Sequence, residues 1–158
     1  QSFTLAPGSM RIALSVQSLA DRPVPAGLGL HPYFPCDDAT RLTFAAEQAW
    51  LADAEDLRTE AVPADRFGDW QAGLPVAGTT LIDNSYSGWD GTARITQGDR
   101  VVQLTATNAP DCHLYRPPAG GFFCLEPVSH LPDAINREGM AQLAPGATLT
   151  LRLTLTVS

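Results

Sequence analysis

The clearest pattern in the chain is its last stretch, where Leu149, Leu151, Leu153, Leu155 and Val157 alternate with Thr150, Arg152, Thr154, Thr156 and Ser158 after a Pro145-Gly146 turn. Strict alternation puts every apolar side chain on one face of an extended segment, so this is a half-buried strand. Ile12, Leu14 and Val16 repeat the pattern near the start. Segments 93–96 and 100–106 flank Gln97-Gly98-Asp99 and predict a hairpin. Shorter strands are expected at 41–46, 50–52, 79–86, 112–115 and 121–127, with a turn at Asp90-Gly91 and an acidic turn at 53–56. Pro23 and Pro25 mark a loop or edge segment, and 63–78 reads as irregular. No segment sustains a helical period. The fold class is therefore all-β, an antiparallel β-sandwich in preference to a closed barrel.

At 158 residues, with no internal repeat and no low-complexity linker, the chain is expected to form one domain with a single core. The net charge of −7 and the absence of a basic run argue against nucleic acid and anionic membranes as partners. No apolar stretch is long enough to cross a bilayer as a helix. Cys36, Cys112 and Cys124 are an odd set without C-x-x-C spacing, which fits free thiols and a cytoplasmic location. The order Cys36, Trp50, Cys112 mimics an immunoglobulin sandwich only by chance, since Pro110 stands where a corner tyrosine belongs.

The stretch with most chemical content is Gly27-Leu28-Gly29-Leu30-His31-Pro32-Tyr33-Phe34-Pro35. A residue before proline is pushed towards extended geometry, so His31 is held with a restricted ring direction. Tyr33 adds a flat face with a polar tip, suited to a sugar. On these residues alone, His31 is equally consistent with a hydrogen-bonded histidine at a strand end. Glu126 also precedes a proline, at the end of the most apolar run, where burial raises a carboxyl's proton affinity and makes it a usable base. The plainer alternative is a capping or ion-paired glutamate. Asp83 either holds hydroxyls or closes an Asx-turn. Trp89 either stacks on a sugar or belongs to the core. His113 and His130 show no partner pattern and receive no role. Metal-ligand spacing and a G-x-S-x-G elbow are absent from the sequence, so no metal and no cofactor are expected.

Three blocks, GLGLHPYFP (27–35), LIDNSYSGWDG (81–91) and FFCLEPVSHLPDAIN (122–136), resemble the aldose 1-epimerase (galactose mutarotase) family in order and rough spacing. The resemblance implies that family's large antiparallel β-sandwich and a monosaccharide (hexose) substrate. It implies that His31 protonates the ring oxygen, that Glu126 removes the anomeric hydroxyl proton, and that Asp83, with Tyr33 and Trp89, binds the sugar. Family members are about twice this length, and the chain resembles their C-terminal half. A second histidine and an arginine from the other half have no counterpart, so weak activity or none is expected of this piece. Self-association through exposed sheet edges is expected as well. A non-catalytic carbohydrate-binding module is the competing reading. A phosphosugar epimerase ranks lower, because Arg22, Arg41, Arg94 and Arg116 are scattered.

Overall fold

The computed structural model describes residues 1–118, 120–137 and 140–158. The chain opens with a hairpin, β1 (Ser2–Ala6) and β2 (Ser9–Gln17). β3 (Val24–Ala26) and β4 (Tyr33–Pro35) bracket the approach to the histidine, and β5 (Arg41–Phe44), β6 (Gln48–Ala52) and β7 (Arg58–Pro63) follow. Two 3-10 turns, Ala64–Phe67 and Trp70–Ala72, lead to β8 (Leu74–Pro75). Then come β9 (Ile82–Ser87), β10 (Thr92–Gln97), β11 (Arg100–Thr107), β12 (Asp111–Arg116) and β13 (Phe122–Val128). A third 3-10 turn, Ala134–Asn136, precedes β14 (Ala141–Leu143) and the long β15 (Thr148–Val157).

All the strand pairs are antiparallel. One sheet has the order β1-β2-β15-β11-β10-β5-β8, a second β4-β13-β12-β9-β6-β7, and β14 and β3 form a small ribbon. The alternation in β15 does what period two requires: Leu151 and Leu153 are buried, while Arg152 between them is exposed. Ile12, Leu42, Leu104, Leu151 and Leu153 from the first sheet and Tyr86, Leu114, Phe123 and Leu125 from the second join one hydrophobic cluster. Fully burying each such side chain contributes about 1.5–3 kcal/mol relative to exposure. The expected all-β antiparallel sandwich is thus observed.

Stretch 63–78 packs as an excursion over the core. Trp70 is buried and donates from Nε1 to the Tyr86 hydroxyl at 3.0 Å, while Phe44 meets Tyr86 edge-on at 5.1 Å between centroids. Trp89, expected to stack on a sugar, is a correction. Its ring belongs to the core cluster and its Nε1 donates to the Thr92 carbonyl at 2.8 Å, so it presents no face to a ligand. At the far edge of the first sheet, every residue of β1 is exposed, including Phe3 and Leu5.

Candidate active site

The second sheet has two faces of opposite character, set by alternation along its central strands. On β12, Cys112 and Leu114 point to the core, so His113 and Tyr115 point away from it. On β13, Phe123 and Leu125 are core residues, which sends Phe122, Cys124 and Glu126 to the same outer face as His113. Asp83 and Ser85 reach that face from β9, where Tyr86 packs inward. Register then assembles the site: His113 stands opposite Ser85 on one side and Glu126 on the other, and Tyr115 opposite Asp83 and Cys124. These strands floor a cleft of about 570 Å³ that also takes His31, Tyr33, His130 and Pro132 into its walls.

His31 is brought to Glu126 by backbone stitching between two loops. Leu30 N–H donates to the Pro127 carbonyl at 3.0 Å, Ser129 N–H to the Leu28 carbonyl at 2.8 Å, and Leu28 N–H to Ser129 Oγ at 2.8 Å. β4 then pairs with β13, with Tyr33 opposite Cys124. The result is a contact of 3.0 Å between His31 Nε2 and Glu126 Oε1, with the imidazole 51% and the carboxylate 13% exposed. The histidine faces the opening and the glutamate is enclosed. Gly27 shapes this junction: a Cβ there would lie 1.9 Å from His130 Nε2, so only glycine lets that ring settle against the loop. His130 Nδ1 lies 2.9 Å from the Leu131 carbonyl oxygen, where it donates.

Burial pushes the Glu126 carboxyl up to about 7, well above its ordinary 4.5; the facing His113 pulls it down and the Asp83 carboxylate pushes it up. Enclosure comes from the cleft and from residues across the sheet, because its sequence neighbours Phe123 and Leu125 turn to the other side. Burial likewise holds the Cys124 thiol at about 11, helped by the charge of Glu126.

Asp83 closes no Asx-turn. It lies within β9, and its Oδ1 is 2.6 Å from His113 Nε2, whose other nitrogen is 2.9 Å from Ser85 Oγ. With both nitrogens engaged, the His113 ring is locked between serine and aspartate, while the Asp83 side chain stays 39% exposed to the cleft. Aromatic rings build the remaining wall: His31 stacks on Tyr33 at 4.9 Å, and Tyr33 lies 5.3 Å from Phe122. The structure thus gathers His31, Tyr33, Asp83 and Glu126 around one cleft and excludes Trp89. Sequence reasoning missed His113, His130, Ser85 and Tyr115. The signal for His113 was its place between two core residues, Cys112 and Leu114, which turns it to the outer face.

Comparison with known proteins bears on the fold and the family. The family model described as aldose 1-epimerase matches residues 1–156. An uncharacterised protein of Escherichia coli K12, YphB, is 34% identical over 99% of this chain and 59% of its own length. A crystal structure of a candidate aldose 1-epimerase from the same organism superposes with a TM-score of 0.89 at 31% identity, covering 99% of this chain and 58% of that one. A galactose mutarotase-like protein from Clostridium acetobutylicum shares the fold, with a TM-score of 0.85 at 17% identity over 99% of this chain and 54% of that one. The chain spans somewhat more than half the length of these relatives. Together with the matched fold, the family match over nearly its whole length assigns it: the chain belongs to the aldose 1-epimerase family.

Proposed function

We propose that the protein carrying this chain interconverts the α and β anomers of an aldose, with a hexose as substrate. The observation that carries this reading is the His31–Glu126 pair, 3.0 Å apart where the wall of the cleft meets its floor. Ring opening at an anomeric carbon needs one proton delivered to the ring oxygen and one taken from the anomeric hydroxyl, on opposite sides of the same carbon. In the proposed cycle, His31 gives a proton from Nε2 to the ring oxygen as Glu126 takes the hydroxyl proton, breaking the carbon to ring-oxygen bond and leaving an aldehyde. Rotation about the bond between the first two carbons turns the other face of the carbonyl to the ring hydroxyl. Reclosure returns that hydroxyl's proton to His31 and the Glu126 proton to the anomeric oxygen, so both residues end as they began.

A base needs a proton affinity near the operating pH, and the value of about 7 at Glu126 meets that condition. Asp83, held by His113, accepts hydrogen bonds from sugar hydroxyls, and Tyr33 offers its ring to the apolar face of the sugar. No metal or cofactor takes part in the proposed cycle. Arg22, Arg41, Arg94 and Arg116 are not among the residues this chain contributes to the cleft. The chain spans 59% of the length of YphB, which supports the reading that it is part of a larger domain whose remainder completes the cleft; that it is the C-terminal portion rests on the sequence resemblance. Its three free thiols support a cytoplasmic location. Among the described residues no helix is long and apolar enough to cross a membrane.

The test is the rate at which freshly dissolved α-D-glucose or α-D-galactose loses its initial optical rotation, for the wild type and for Glu126→Gln. A non-catalytic carbohydrate-binding module would bind the sugar calorimetrically and leave that rate unchanged.

A further inference from the structure

We propose that His31, Cys124 and Glu126 form a binding site for a zinc-like divalent cation, and that filling it takes the imidazole and carboxylate of the cleft out of use. The ligand atoms, an imidazole nitrogen, a thiol sulfur and a carboxylate oxygen, all lie within 4.8 Å of one another. Bonds of about 2.0–2.3 Å to a tetrahedral zinc ion separate its ligands by roughly 3.3–3.7 Å, so closing the trio requires a movement of about 1 Å. The sheet supplies two of the three ligands rigidly. Cys124 and Glu126 are two residues apart on β13, which places both on the outer face of the strand. His31 supplies the movement, since its imidazole is half exposed and already 3.0 Å from Glu126. Cys124 is fully buried, so the fourth ligand is a water entering from the side of His31 and Glu126, which line the cleft.

The donor set selects the metal. Thiolate and imidazole favour zinc over magnesium or calcium, which prefer shells made of oxygen alone. Coordination releases the Cys124 thiol proton to solvent and uses the nitrogen and oxygen lone pairs that otherwise carry protons to and from a sugar. No contiguous ligand spacing announces the site, because one ligand comes from the 27–35 loop and two from β13. Binding of the cation does not depend on the epimerase reading; only the loss of activity rests on it.

Cobalt(II) is the probe, added to the chelator-treated full chain. The expected result is a near-ultraviolet thiolate-to-cobalt band with intense visible bands of tetrahedral cobalt, saturating at one equivalent and erased by zinc. Cys124→Ser should abolish the thiolate band and weaken zinc binding about tenfold or more, whereas Cys36→Ser should keep both. At equal zinc concentration, the rise in unfolding temperature should be smaller for Cys124→Ser than for the wild type and Cys36→Ser. Should Cys124→Ser fail to fold, Glu126→Gln replaces it, with the same required weakening. A cobalt spectrum lacking the thiolate band, or unchanged zinc affinity in the folded variants, overturns the site. In the anomerisation assay, inhibition should follow zinc occupancy. A full-length protein carrying this chain that shows the cobalt spectrum but no anomerisation without zinc would keep the site and sink the epimerase reading.

Discussion

His113 Nε2 and Asp83 Oδ1 are joined at 2.6 Å across β9 and β12, beside the glutamate rather than on it. The ring is fixed by Ser85 on its other nitrogen and stands opposite Glu126 in register, so it bears on the glutamate through charge and holds Asp83 in place. His113→Gln removes the charge that draws the Glu126 carboxyl down. The carboxyl should then titrate at higher pH, read directly from the carbon-13 shift of its side chain in chelator-treated protein.

Asp83→Asn keeps the shape of the side chain and removes the ion pair. If Asp83 holds sugar hydroxyls, KM should rise by about tenfold with a smaller change in kcat. Loss confined to kcat would move Asp83 from binding to chemistry.

Glu126 also makes stability depend on pH. Its folded value near 7 lies above the unfolded 4.5, so the folded state holds an extra proton between them. Stability is therefore full below about 4.5 and falls as pH rises through 7, by on the order of 3 kcal/mol. Glu126→Gln lacks this loss. In urea unfolding, the variant should gain on the wild type between pH 5 and pH 8, as expected where function maintains a buried charge.

Gly27→Ala places a methyl group in the His130 ring and should lower stability by about 1–3 kcal/mol. Replacing His130 by alanine in the same chain should restore most of that loss, since the clash partner is gone. Additive effects in this double-mutant cycle would show that the ring can move aside freely.

Among the described residues β1 is the edge strand of its sheet, and it carries Phe3 at 61% and Leu5 at 76% exposure. Such an edge pairs with other chains. Sedimentation should show concentration-dependent association of this chain, reduced by Phe3→Lys with Leu5→Lys. A monomer at every concentration would contradict this.

Much of this molecule was legible where two residues of alternation met a turn. β10, β11 and β15 are examples, because one face of each is buried and a turn at Gly98 or Gly146 bounds the run. β7 was not, since its exposed residues Thr59 and Glu60 break the alternation. His31 and Glu126 were marked by the prolines that follow them and by the family resemblance. His113 was invisible as a site residue because its partners are chosen by register across three strands, which no local pattern reports. Trp89 misled for the converse reason. It stands between Gly88 and the Asp90-Gly91 turn, where a ring looks exposed, yet its indole folds under to the Thr92 carbonyl.

The most direct measurement is polarimetry of freshly dissolved α-D-galactose and α-D-glucose with the full-length protein that carries this chain, free of metal. The account predicts a first-order decay faster than in buffer, proportional to protein concentration, and reduced by about 10²–10⁴-fold in both His31→Ala and Glu126→Gln. Traces superimposable on buffer, or an undiminished rate in either variant, would contradict it.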